Sequence, residues 1–136
     1  MTQKKLLILR GVPASGKSTI ALRYVEAQNY VRVNRDEIRA MLVGRYHGVD
    51  EHEVTKVEHT LIRRAFLAGR NVVSDNTNLN SRFVSKLLEI GREFNAQVEY
   101  QDVVVSQEEA LRRDWSRGMN GERYVGGAAI KGFFRR

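Results

Sequence analysis

The octapeptide Gly11-Val12-Pro13-Ala14-Ser15-Gly16-Lys17-Ser18, followed by Thr19, constrains this chain more than any other feature. It fits the pattern G-x-x-x-x-G-K-[ST] at every position. The apolar run Leu6-Leu7-Ile8-Leu9 precedes it, and Ile20 and Tyr24 follow at helical spacing. A buried strand that turns into a helix through such a loop is the setting in which the pattern cradles phosphate. The loop's backbone N–H groups turn inward around phosphate oxygens, so side chains at Gly11 or Gly16 would obstruct it. The helix behind it adds the positive end of its dipole. Lys17 offers a point charge to the outer phosphates. Ser18 offers a hydroxyl to Mg²⁺, which takes oxygen ligands.

Beyond the loop, apolar runs alternate with helical periodicity. Strands are predicted over 6–9, 30–33, 71–75 and 98–105. Helices are predicted over 19–27 and 36–42. A third begins at the Asp50/Glu53 capping box, carries a stripe of Val54, Val57, Leu61 and Ala65, and stops at Gly69. A fourth carries Phe83, Val84, Leu87, Leu88 and Phe94. A fifth opens on Ser106 with Glu109 and carries Leu111 and Trp115, the latter expected as a core anchor. A last one covers 128–136. Such alternation implies an α/β fold, a parallel β-sheet of about four strands flanked by helices on both faces. Ligands then bind beyond the carboxyl ends of the strands.

Composition narrows the class. At 136 residues and 42% apolar, one domain over 1–136 is expected, with material for one core. No apolar run approaches the roughly 18–20 residues of a membrane span, so a soluble, cytoplasmic protein is expected. The absence of cysteine excludes disulfides, thiolate metal sites and cysteine nucleophiles. With 23 Lys and Arg against 16 Asp and Glu, the net charge of +7 favours polyanionic partners.

Two further features speak to reaction type. Asp36 and Arg39, three residues apart after the second strand, can face the same space. A carboxylate that accepts an alcohol's proton, beside an arginine that holds the acceptor, suits hydroxyl phosphorylation. Asp36 could equally cap its helix. Arg112, Arg113 and Arg117, with Arg123 in the Gly-rich stretch after them, read either as an arginine-bearing lid over the transferring phosphate or as a solvated basic face. Asp75, ending the third strand, could hold a magnesium-bound water, cap the next helix or bond the polar loop. His47, His52 and His59 lack metal-like spacing; His52 and His59 read as helix-surface residues and His47 as a loop residue.

Together, Gly11 to Thr19, Asn34-Arg35-Asp36 with Arg39, Ser74 to Asn80 with its core Thr77-Asn78-Leu79-Asn80, and Arg113 to Gly118 resemble the 5′-hydroxyl polynucleotide kinase domain of bacteriophage end-healing enzymes, within the P-loop kinase group. The resemblance implies transfer of the ATP γ-phosphate to a 5′-hydroxyl end of DNA or RNA, with Mg²⁺. Gly11, Ala14, Ser15, Gly16, Lys17, Ser18, Thr19, Arg113 and Arg117 would bind ATP. Asp36, Arg39 and Thr77 would meet the acceptor, with Arg39 on the 3′-phosphate of the terminal nucleotide. Lys17, Asp36 and Arg117 would act in catalysis, with Asp36 as general base. Ser18 and Asp75, the latter directly or through water, would serve the metal. A phage-encoded enzyme of this kind works in the host cytoplasm. Phage members place an acid directly before Thr-Asn-Leu-Asn; here that residue is Asn76, and the acid is Asp75. A kinase for a small-molecule hydroxyl and a non-catalytic nucleotide-binding module are the alternatives. No Asp-x-Asp-x-Thr phosphatase run and no Lys-x-Asp-Gly ligase run occurs, so neither activity is expected of this chain.

Overall fold

The computed structural model describes residues 3–44, 48–119 and 125–134, except the side chain of Phe133; His47 and Arg123 lie outside the described residues. Its strands are β1 (Lys5–Arg10), β2 (Tyr30–Val33), β3 (Asn71–Asp75) and β4 (Gln97–Asp102). Its helices are α1 (Lys17–Ala27), α2 (Arg35–Val43), α3 (Glu51–Leu67), α4 (Ser81–Glu93), α5 (Gln107–Met119) and α6 (Gly127–Phe134). The strands form one parallel sheet in the order β2-β3-β1-β4.

The central strand shows why both faces need covering. Leu6 and Ile8 point into a core with Val54, Ile62 and Phe66 of α3 and Leu87 and Ile90 of α4. Leu7 and Leu9 alternate to the other face, against Ala21 of α1, Tyr30 and Val73. Side chains alternate across a strand, so four consecutive apolar residues feed two cores. From β1 the chain crosses to β2 at one edge; from β3 it crosses to β4 at the other. The crevice between the carboxyl ends of β1 and β3 is therefore the binding point of the topology.

Four sequence expectations are corrected. β4 ends at Asp102, not at residue 105. Val103 makes one more backbone bond, to the Arg10 carbonyl, and the chain then leaves the edge, exposing Val104. Trp115 is 62% exposed rather than a core anchor, because α5 buries Ala110 and Asp114 instead. The buried face of α3 excludes Leu61 and includes Glu58 and Ile62. His59 is half-buried beside Glu58, and burial lowers its pKa, so it is not a helix-surface residue.

Candidate active site

The phosphate loop curls through two left-handed residues, Ala14 (φ 64°) and Gly16 (φ 105°). The alanine holds a conformation that costs an L-residue roughly 1–2 kcal/mol. Gly11 is required for a reason the sequence does not show. A Cβ there would sit 2.6 Å from the Val103 carbonyl oxygen and 2.9 Å from Ser15 Oγ. Lys17 is buried, its Nζ donating to the carbonyls of Gly11 (2.9 Å) and Val12 (2.7 Å) and to Ser15 Oγ (3.3 Å). The crevice is laced shut below the loop. The Gly11 amide donates to the Thr77 carbonyl at 3.0 Å, and Asn78 Nδ2 donates to the Leu9 carbonyl at 2.6 Å.

Beside the loop, Ser18 Oγ donates to Asp75 Oδ2 at 3.0 Å. Asp75 caps nothing, since Asn80 caps α4 by accepting from the Arg82 amide. Asn76 is held by the scaffold instead: its Oδ1 accepts from the Arg35 amide and its Nδ2 donates to Glu58. The acid nearest the loop serine is therefore Asp75. Its buried carboxylate already meets one cation, the guanidinium of Arg32 on β2, at 2.7 Å. A carboxylate and a hydroxyl side by side are hard oxygen donors and suit Mg²⁺. Among the described residues no cluster of three His, Cys, Asp or Glu could hold a metal. Phosphate oxygens and water would have to complete such an ion's shell.

On the opposite wall, Asn34 caps α2 by accepting from the Glu37 amide at 2.9 Å. Asp36 is thus in the first turn of α2 without being its cap, and it accepts from Arg39 Nη1 at 2.8 Å. Sequence reasoning missed what fixes this pair. Glu51, at the start of α3, accepts from Arg39 Nε at 3.0 Å and from Nη2 at 2.5 Å. The Arg39 guanidinium, with help from Arg35, holds the Glu51 carboxyl down to about 2. Arg35 donates to Glu58 and Thr55 at 3.0 Å each and lies over the Phe83 ring, tying α2 to α3 and α4. The buried Arg35–Glu58 pair has one sequence signal: a charged residue in register with an apolar helix stripe.

The third wall is α5. Arg113 Nη1 lies 3.5 Å from the Ala14 carbonyl, and Arg113 Nε donates to Glu109 at 2.9 Å. Arg117 Nε and Nη2 are buried and make no hydrogen bond among the described residues; Asp114 lies 3.9 Å from Nη2. Buried guanidinium donors in this state suit an anion. Asp114, also missed in the sequence, accepts from the amides of Val125 (2.6 Å) and Gly126 (2.9 Å) and so pins the chain that follows the glycine-rich stretch.

All three walls line a single cleft of about 1350 Å³. It gathers Ala14, Ser15, Gly16, Lys17, Ser18 and Thr19 with Asp36 and Arg39, Asp75 and Thr77, and Arg113 and Arg117. Of the expected site residues among the described ones, only Gly11 stays off its lining, as a buttress of the loop.

A family model described as AAA domain matches residues 6–136, nearly the whole chain. The chain belongs to this AAA domain family. As an AAA domain with a P-loop kinase-like fold, it is similar to a viral protein of Autographa californica nuclear polyhedrosis virus whose name assigns it polynucleotide kinase and RNA ligase activities. The match is 30% identical over 131 residues, 85% of this chain and 18% of that protein. It also superposes on a chain of the Pnkp1/Rnl/Hen1 RNA repair complex with a TM-score of 0.84 and 29% identity, covering 96% of this chain and 43% of that one. These matches bear out the resemblance to polynucleotide kinase domains read from the sequence. A gluconokinase from Sinorhizobium meliloti shares the fold alone, at TM-score 0.60 and 18% identity, covering 97% of this chain and 74% of that one. The AAA domain spans less than half the length of the viral and repair-complex chains it matches. No helix among the described residues is long and apolar enough to cross a membrane.

Proposed function

We propose that this AAA domain is an ATP-dependent polynucleotide 5′-hydroxyl kinase that acts on DNA or RNA ends. One observation carries the reading: the Asp36–Arg39 pair faces the same cleft as the phosphate loop, with Arg113 and Arg117 on the third wall. The two relatives named for polynucleotide kinase or RNA repair support a nucleic-acid acceptor. So does the net charge of +7, since each phosphate contact favours Lys or Arg.

The chain's residues divide the work. The loop from Ala14 to Thr19 holds the donor phosphates through backbone amides, with Lys17 beside the outer ones. Arg39 anchors the 3′-phosphate of the terminal nucleotide, which places the 5′-hydroxyl at Asp36. Asp36 takes the hydroxyl proton as the oxygen attacks the γ-phosphorus, the bond from that phosphorus to the β–γ bridging oxygen breaks, and ADP leaves. Arg117, with its buried donors, and Arg113 stabilise the charge spread over the transferring group. Ser18 and Asp75 would hold Mg²⁺, which neutralises phosphate charge when bound.

The deciding experiment is transfer from γ-labelled ATP to a 5′-hydroxyl oligonucleotide, run beside a panel of nucleosides and sugars. Label in the oligonucleotide is expected. Label only in a small molecule would make the chain a small-molecule kinase, and label nowhere would make it a nucleotide-binding module.

A further inference from the structure

Arg32 belongs to none of the sequence motifs and has no task in the kinase mechanism. It lies on β2, between half-buried Val31 and buried Val33, and its side chain turns into the cleft. The guanidinium spans the two groups best suited to a divalent ion. Nε donates to Asp75 Oδ2 at 2.7 Å, and Nη2 donates to Ser18 Oγ at 3.3 Å. The same Asp75 oxygen accepts from Ser18 Oγ at 3.0 Å. Asp75 is 1% exposed, so its negative charge needs a cationic partner, and Arg32 is that partner in this structure.

A divalent ion bound to Asp75 Oδ2 and Ser18 Oγ would take the two oxygens that Arg32 now occupies, and two cations a few ångströms apart in a half-buried cleft repel strongly. We propose that Arg32 is a resident counter-cation that competes with the divalent metal for Asp75 and Ser18, so that metal enters only together with a phosphate-bearing nucleotide. The nucleotide supplies what the exchange needs: oxygen ligands for the metal and negative charge for the displaced guanidinium. Arg32 thereby keeps the metal affinity of the empty cleft low and couples metal binding to nucleotide binding. The proposal rests on the metal reading of Ser18 and Asp75 given above.

The test reads metal occupancy directly, with Mn²⁺ as the probe and the free ion measured by electron paramagnetic resonance. Three proteins are compared, each with and without ADP: the unsubstituted chain, Arg32→Gln and Arg32→Lys. Without nucleotide, Arg32→Gln should bind Mn²⁺ about tenfold or more tightly than the unsubstituted chain, because the competing charge is gone. Arg32→Lys, which keeps the charge, should stay close to the unsubstituted chain. ADP should tighten Mn²⁺ binding strongly in the unsubstituted chain and only weakly in Arg32→Gln. Equal or weaker binding by a folded Arg32→Gln, while the unsubstituted chain binds Mn²⁺ with ADP, overturns the exchange and leaves the metal reading standing. No Mn²⁺ binding by any of the three proteins, even with ADP, overturns both.

A second measurement needs no folded variant. In the unsubstituted chain, NMR should detect the Arg32 Nε–H to Asp75 carboxylate hydrogen bond as a through-bond coupling, and that coupling should vanish when Mg²⁺ and ADP are added together. A coupling that persists in their presence overturns the proposal.

Discussion

The Asp36 carboxylate lies 2.8 Å from the Arg39 guanidinium, one turn along α2, while the cap of that helix is supplied by Asn34 two residues earlier. Capping and carboxylate chemistry are therefore on different side chains and separate by mutation. Asp36→Asn should leave thermal stability nearly unchanged and lower kcat by orders of magnitude, since an amide of the same shape cannot accept the hydroxyl proton. Asn34→Ala should instead cost about 1 kcal/mol of stability. Melting curves and steady-state kinetics on both variants check this. A fully active Asp36→Asn enzyme would remove Asp36 from the mechanism.

Arg39→Ala should act mainly on acceptor binding. Its effect should be large with a nucleoside 3′-monophosphate and small with a plain nucleoside, which never had the phosphate contact. KM values for the two acceptors give the answer, and an equal loss for both would contradict the assigned contact.

Glu51 carries a pH signature. Arg39 and then Arg35 lower its pKa from 4.5 to about 2 in the folded chain. A depressed carboxyl stabilises the fold above its unfolded pKa, and that contribution is lost as pH falls through the folded value. The loss should thus occur between pH 4.5 and about 2. Carbon NMR of the Glu51 carboxyl should show the low midpoint, and Arg39→Gln should raise it. A midpoint near 4.5 in the unsubstituted chain would mean that the Arg39–Glu51 contact is absent in solution.

Lys17→Ala should fold, because the left-handed conformations of Ala14 and Gly16 set the loop's curvature. Transfer should nevertheless fall by orders of magnitude, with the loss of the charge beside the reacting phosphates. Circular dichroism and the labelled-ATP assay decide it; near-normal transfer would sink the phosphate-loop assignment.

Gly11→Ala tests a backbone contact rather than phosphate binding. The new methyl meets the Val103 carbonyl at 2.6 Å, so the chain leaving β4 must shift. A cost of about 1–3 kcal/mol is expected, with or without nucleotide. Thermal melts read it, and an unchanged melting temperature would show that the β4 exit yields freely.

Local pattern made much of the fold and site legible. The run Leu6 to Leu9 reads as a strand buried on both faces because both its odd and its even residues are apolar. The phosphate loop reads from spacing because each of its residues meets a local backbone demand. Asp36 and Arg39 pair across one helical turn, which sequence separation alone predicts.

What the sequence could not decide are the contacts whose partners are distant in the chain. Glu51 reaches Arg39 because α3 packs beside α2, and Arg32 reaches Asp75 because β2 and β3 are paired in register. Trp115 gives up the buried face of α5 to Asp114, whose carboxylate is needed by the amides of Val125 and Gly126. Periodicity ranks residues by hydrophobicity along one element. Whether a charge is buried depends on a partner brought by another element, so only the tertiary structure places Glu58 inside and Trp115 outside.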